Sequence, residues 1–210
     1  MDLYSYYRST SSYRVRIALA LKRLAYHALP VNLVAHGGEH LAPAYRALNP
    51  QGRVPTLRTD TGELLMQSPA IIEYLDECYP NPPLLPAEPL ERARVRSVAA
   101  LIGCDIHPLH NVAVLKRLRG LGVDEGDVTA WIGHWISEGF NAVEQMIGDH
   151  GFCFDTPGLA DVYLVPQLYA ARRFAVDLAA YPRILRVEGA ALEHPAFQTA
   201  HPANQPDTPA

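Results

Sequence analysis

The chain has 210 residues, 49% of them hydrophobic and 19% charged, with a formal net charge of −4. A chain of that length can bury a substantial core in one or two domains. Its acidic balance, with basic residues gathered into neither an arm nor a tail, excludes nucleic-acid backbone binding as the main activity.

Cys78, Cys104 and Cys153 are too few and too scattered for a disulfide framework, and their number is odd. No apolar segment reaches the roughly 18–20 residues of a membrane span, and the amino terminus lacks the pattern of a signal peptide. A cytoplasmic protein with no membrane partner is the expectation.

In chain order, Met1–Tyr6 alternates aromatic or apolar residues with polar ones and reads as a strand. From Ser12 to about Lys22 the period becomes helical, with Val15 and Leu19 on one face. Ala25–Leu33 reads as a second strand, completing a β-α-β unit. A polar loop, His36–His40, leads to a short helix ending near Leu48. Asn49–Leu57 is a turn-rich lead into a third strand, and Thr59–Met66 resembles a hairpin with Gly62 in its turn. Gln67–Tyr79 opens as a helix, with Ser68 as N-cap and Pro69 at the first helical position.

The segment Pro80–Pro89 holds five prolines in ten residues and reads as a semi-rigid spacer. Beyond it the pattern is helical only, over roughly Glu91–Leu118, Gly126–Asp149, Gly158–Phe174 and Tyr181–Leu192. The proline-rich stretch from His201 is expected to lie irregularly on the surface. The expected division is an α/β domain over residues 1–80, a linker over 81–89 and an all-helical domain over 90–210.

The first strand-to-helix junction is unusual, because Ser9, Thr10, Ser11 and Ser12 follow Arg8 directly. A helix amino terminus presents unpaired N–H groups and a partial positive charge. Hydroxyls there add small donors, which suits an anion held without steric hindrance, such as a thiolate or a carboxylate. Hydrogen bonds to a thiolate lower the thiol's pKa, and Arg8 and Arg14 would add positive charge. A serine-rich cap flanked by solvated arginines accounts for the same residues.

Two further features favour a ligand. Val54–Pro55 stands just before a strand, where a cis proline in a thioredoxin-like fold exposes the preceding backbone to an extended peptide. Ser68 opens a helix that offers a second anion site. Three such sites suit a short, acidic, thiol-bearing peptide, and glutathione fits that description.

Other conspicuous residues read more plainly. Cys104, Asp105, His107 and His110 suggest a metal, but Pro108 interrupts their helix and no second ligand pair appears, so no metal is expected. Cys153, between Phe152 and Phe154, reads as core. Trp131 and Trp135, four apart on a helix, are expected to pack inside. Asp161 reads as a structural carboxylate at a helix start whose N-cap is Gly158. Of Arg172 and Arg173, the residues alone suggest one surface cation and one ion-pair partner.

By the segments Leu3–Lys22, Ala47–Leu57, Gln67–Leu75, Leu164–Pro182 and His201–Pro209, the chain resembles the zeta-class glutathione transferases over essentially its whole length. The serine-rich start and the "ARRF" segment carry most of that specificity. The resemblance implies a thioredoxin-like α/β domain, an all-α domain, a homodimer and glutathione as cofactor. It places Ser9 at the glutathione sulfur, with Thr10 and Ser11 beside it. His40, Val54, Gln67 and Ser68 would hold the peptide, and His107 and Asn111 would close over it. Arg8 and Arg173 would steer a small dicarboxylate substrate.

The implied reaction is isomerisation of maleylacetoacetate to fumarylacetoacetate, in tyrosine or other aromatic breakdown, by reversible addition of a thiolate to the cis double bond. Maleylpyruvate isomerisation in gentisate or salicylate breakdown is the alternative, as is conjugation of alpha-haloacids. A non-catalytic binding protein is the reading from a different class. Two departures stand out: Ser11 occupies a place where many members carry cysteine, and Gly158 one where a hydroxyl residue is usual.

Overall fold

The computed structural model describes residues 1–209, and residue 36 by its backbone alone. Two compact units result: Met1–Leu84 together with the terminal residues from Glu193 on, and Leu85–Leu192.

The first unit begins with Asp2–Ser5 (β1), Thr10–Leu21 (α1), His27–Pro30 (β2) and Pro43–Leu48 (α2). Thr56–Arg58 (β3), Leu64–Met66 (β4) and Ser68–Cys78 (α3) follow. The sheet order is β2-β1-β3-β4. β1 runs parallel to β2, with Leu3 opposite Ala28, and antiparallel to β3, with Leu3 opposite Leu57. A parallel pair requires a crossover, and α1 supplies it. The β3–β4 hairpin turns at Gly62, whose φ of 91° favours glycine and whose N–H donates to Thr59 O at 3.0 Å.

Side chains alternate across β1, so Leu3 faces one side of the sheet and Tyr4 the other. Leu3, Ile17, Leu57, Ile71 and Leu75 have no exposed surface and form the core beneath α1 and α3. Tyr6, Val31, Tyr45 and Val54 make a second apolar cluster, joined by Tyr4. Lys22, at the end of α1, is buried. Its ammonium donates to Asp76 (2.7 Å), Tyr79 O (2.7 Å) and Pro82 O (3.0 Å), which fastens the start of the proline-rich segment to α3.

From His201 the chain is irregular and mostly at the surface, as expected, apart from one tight turn; the helix just before it was not expected. Pro195–Ala200 (α9) packs on α1, a tight turn covers Pro202–Asn204, and Pro202 is buried. Polar groups of α1 and of the β1–α1 loop meet this segment, which supplies the contacts that the proline-rich composition did not reveal.

The second unit contains Pro89–Ala100 (α4), Val112–Gly120 (α5), Glu125–Met146 (α6), Leu159–Arg173 (α7) and Pro182–Glu193 (α8), the last ending one residue past its boundary. The helix expected over Glu91–Leu118 is divided in two. A wide π-type turn at Leu101–Ile106 and a tight turn at His107–His110 separate α4 from α5. Pro108 has no N–H to continue the helix, which accounts for the break. A Cβ at Gly139 would come 2.2 Å from Ile106 Cδ1, so only glycine lets α6 approach the wide turn this closely.

Two expectations need correction here. Trp131 and Trp135 are half-buried rather than internal. Residues Pro89–Gly120 do contain an 18-residue window with a mean hydropathy of 1.4, long and apolar enough to match a membrane span by composition. Yet α4, at 12 residues, is about 18 Å long, against the ~30 Å of a hydrocarbon core. A third of that window is buried inside this unit.

Candidate active site

In the first unit the expected contacts fall on three local structures. At the start of α1, Ser9 is the N-cap, with β-region φ and ψ of −69° and 118°. Its Oγ accepts from Ser12 N at 3.2 Å, and its carbonyl accepts from Tyr13 N at 2.8 Å. A serine hydroxyl has one hydrogen and two lone pairs. Because Ser12 occupies a lone pair, the Ser9 hydrogen remains to be donated to a ligand. The N–H groups of Thr10 and Ser11 come too early for any helical carbonyl. No acidic residue lies in the first turn of α1, so its positive end is not neutralised by the helix itself.

Arg8 is half-buried, its guanidinium 5.7 Å from the centroid of the Tyr6 ring. Arg14 differs from the sequence reading. It is only 2% exposed, so it is an internal residue of α1 rather than a cation available to a ligand.

The second structure is the segment around Val54. The Val54–Pro55 bond is cis, and Val54 is buried. The Arg53 carbonyl accepts from Tyr45 Oη at 2.7 Å and from Asn49 Nδ2 at 2.8 Å. Thr56 Oγ1 lies 2.9 Å from each of the same two groups. Tyr45 and Asn49, missed by the sequence reading, thus pin the backbone on both sides of Val54. Burial raises the Tyr45 phenol's pKa, so it stays protonated and able to donate.

His40 sits nearby in sequence terms, on the short turn Glu39–Leu41. A Cβ at Gly38 would fall 2.4 Å from the His40 ring, and Gly38 has a φ of 103°. Glycine at 38 is therefore required for this placement of His40.

The third structure is the start of α3. Gln67, not Ser68, is the N-cap; Ser68 and Pro69 are the first two helical residues. Gln67 has a φ of 69°, a left-handed conformation uncommon for a residue with a side chain. Its Nε2 donates to Gln51 Oε1 at 2.6 Å, which fixes the side chain, and Ser68 is 3% exposed. As in α1, the first turn carries no acid.

In the second unit, His107, Asn111 and Arg173 occupy related positions. The His107 and His110 rings meet edge-on at 5.4 Å between centroids, and His110 meets Phe174 in the same way at 5.8 Å. The Arg173 guanidinium lies 4.5 Å from the Phe174 centroid. A buried contact holds this chain of rings: His110 Nε2 lies 2.9 Å from Gln167 Nε2 and 3.2 Å from Gln167 Oε1. His110 and Gln167 were not expected as site-building residues. Their signal was a polar pair within apolar helical stretches. Asn111 caps α5, its Oδ1 accepting from Ala113 N at 3.1 Å.

Arg172 pairs with Glu188, Nη2 to Oε2 at 2.6 Å, so the neighbouring arginines divide into an ion-pair partner and a cation stacked on a ring. Among the described residues no three His, Cys, Asp or Glu side chains are placed to hold a metal. Cys153 is fully buried, and burial raises its thiol's pKa well above the ordinary value. Asp161 accepts from Cys153 N at 2.8 Å and from Gly158 N at 2.9 Å, so its carboxylate closes the start of α7.

Comparison with known proteins identifies the family of the chain. Residues 3–83 match the glutathione S-transferase N-terminal domain family. Over the full length of both chains, 71% of residues are identical to the maleylacetoacetate isomerase of Pseudomonas aeruginosa. The holo structure of a maleylpyruvate isomerase, described as a bacterial zeta-class glutathione S-transferase, superposes with a TM-score of 0.95 at 50% identity, covering 100% of each chain. The Anaeromyxobacter dehalogenans maleylacetoacetate isomerase, crystallised with glutathione in its active site, gives a TM-score of 0.89 at 44% identity, covering 99% of this chain and 97% of its own. The chain belongs to the glutathione S-transferase family, in the zeta class that contains the maleylacetoacetate and maleylpyruvate isomerases.

Proposed function

We propose that this protein is a glutathione-dependent cis–trans isomerase that converts maleylacetoacetate to fumarylacetoacetate in aromatic catabolism. The observation that carries the reading is its end-to-end likeness to the Pseudomonas aeruginosa isomerase. The donor set supports it. Two helix starts lack acidic residues, one of them rich in hydroxyls, and a pinned backbone segment lies between them in the chain. Such a set fits a small acidic peptide with a thiol.

Bound glutathione supplies a sulfur nucleophile that adds reversibly to the cis double bond and is not consumed. The chain's own residues set the conditions for that chemistry. Ser9 donates its hydroxyl hydrogen to the sulfur, and the α1 amino terminus, with Thr10 and Ser11, favours the anionic form. Val54 offers its backbone to the peptide, His40 holds its flank, and Gln67 and Ser68 bind its carboxylate end. The left-handed Gln67 backbone is a strained conformation of the kind retained where a ligand needs it.

Arg8 offers a cation that orients the dicarboxylate and offsets the negative charge that develops on its carbonyl side. In the second unit Arg173, for the substrate, and His107 and Asn111, for glutathione, are the candidate ligand residues. Ser11 polarises by hydroxyl where many relatives carry a thiol, so no protein cysteine acts at that place. The active form is a homodimer in the cytoplasm.

The test is ultraviolet absorbance of the purified protein mixed with maleylacetoacetate or with maleylpyruvate, each with and without glutathione. Glutathione-dependent loss of the cis isomer, faster with maleylacetoacetate, is the expected result. Faster turnover of maleylpyruvate would reassign the substrate, and loss without glutathione would refute the mechanism.

A further inference from the structure

The terminal segment reaches back to the β1–α1 loop with two groups that the proposed reaction does not use. Asp207 Oδ2 accepts from Tyr7 N at 2.9 Å. Arg16, in α1, is 1% exposed, and its Nη2 donates to Tyr7 O at 2.8 Å. Both peptide groups of Tyr7, two residues before Ser9, are therefore held, one by α1 and the other by the chain's far end.

The same guanidinium binds Ala200 O at 3.0 Å, Ser5 Oγ at 3.1 Å and Tyr6 O at 3.4 Å. Tyr6 O also accepts from Ser9 N at 3.0 Å. A buried guanidinium is costly unless its donors are satisfied, so these acceptors are held firmly in place. The route from tail to site is short: Ala200 and Asp207 fix Arg16 and Tyr7, these fix the loop, and the loop sets Ser9.

We propose that Arg16 and Asp207 clamp the loop before Ser9 from two sides, which makes the terminal segment a positioning element for the glutathione sulfur site. This rests on Ser9 as the sulfur's hydrogen-bond donor. Misplacement of such a group by about 1 Å is enough to cost of order 10²-fold in rate. Charge alone predicts the opposite effect, because removing the Asp207 carboxylate would favour a nearby thiolate. The sign of the change therefore separates positioning from electrostatics.

The experiment follows the thiolate absorbance of glutathione bound to the purified protein as a function of pH, alongside thermal unfolding. Asp207→Ala is expected to raise the bound thiol's midpoint by about one unit, leaving about tenfold less thiolate on the acid side. Asp207→Asn, whose amide oxygen still accepts from Tyr7 N, restores most of it. In the double variant with Ser9→Ala, Asp207→Ala adds nothing to the shift caused by Ser9→Ala alone.

An unmoved or lowered midpoint in Asp207→Ala overturns the clamp, as does full additivity with Ser9→Ala. A shift in Ser9→Ala with none in Asp207→Ala refutes the clamp and leaves the reading of Ser9 standing. No shift in Ser9→Ala refutes both. Should Asp207→Ala not fold, Arg16→Lys keeps the charge and loses the fork; it must shift the midpoint in the same direction, and no shift overturns the proposal.

Discussion

In the helical unit, four of the five α-helices among the described residues begin against a carboxylate. Glu88 accepts from Glu91 N at the start of α4, Asp124 from Asp127 N at the start of α6, and Asp161 from Gly158 N at the start of α7. For α8 the carboxylate comes from another helix: Glu144 of α6 accepts from Arg183 N at 2.8 Å and Ile184 N at 3.0 Å. The fifth, α5, begins at Asn111, a residue expected to meet glutathione. In the other unit α1 and α3 have no acid in their first turns. An internal carboxylate completes a helix and removes its attraction for anions; a neutral start keeps that attraction for a ligand.

The strongest way to break this contrast is to give α1 the feature of the helical unit. Ser11→Asp places a carboxylate in its first turn. Helix stability should hold or rise slightly, because acid at an amino end is worth about 0.3–1 kcal/mol. A like charge beside the sulfur raises its pKa by ~1–3 units, so turnover near neutral pH should fall by about 10–10³-fold. Stopped-flow isomerisation and thermal unfolding of the same sample would check both halves. Loss of stability without loss of turnover would refute the comparison.

Ser9→Ala comes next. Loss of one preorganised donor to a developing or resting anion costs of order 10²-fold in kcat. Ser9 also caps α1 through Ser12 N, so about 1 kcal/mol of stability should go with it. The cap is the plainer of the two readings that the sequence allows for this serine-rich stretch. A variant with unchanged turnover and lowered stability would make Ser9 a cap alone.

Asp161→Ala should do the reverse. It strands two N–H groups, those of Cys153 and Gly158, in a region where Asp161 itself is 1% exposed. Each stranded group costs about 1–3 kcal/mol, so stability should fall by about 2–6 kcal/mol, with kcat/KM per folded molecule unchanged. Chemical denaturation and steady-state kinetics distinguish that outcome from a catalytic role.

The contrast between units also marks what could be read from the chain. Element order in the first unit, the Gly62 hairpin turn, the hydroxyl-rich helix start and the core position of Cys153 all follow from patterns a few residues long. The groups that hold the site in place are distant in sequence. Tyr7 and Asp207 are separated by 200 residues, and no local periodicity joins them. Arg16 did leave a trace, as a cation inside the apolar run Val15–Leu19, and a buried charge in such a run implies partners from elsewhere. The split of the first long helix was visible in Pro108, but the wide turn before it depends on the close approach of Gly139 to Ile106.

The smallest effect tests the terminal segment directly. His201 Nδ1 accepts from Ala203 N at 3.1 Å, which requires that nitrogen to be unprotonated. Burial, with the Arg16 charge adding to it, lowers the His201 pKa below its ordinary value. A histidine whose pKa is lower folded than unfolded contributes stability that is fully present above the unfolded value of about 6.5 and is lost as pH falls through the folded value. Acidification from neutral pH should therefore loosen the turn at Pro202–Asn204 before it affects the sheet. Amide exchange protection at Ala203, corrected for the intrinsic pH dependence, should drop about two- to tenfold, the scale of one exposed hydrogen bond. His201→Asn, which keeps an acceptor without a titrating ring, should abolish that drop. If protection falls equally in both proteins, His201 is not the group that makes the segment sensitive to acid.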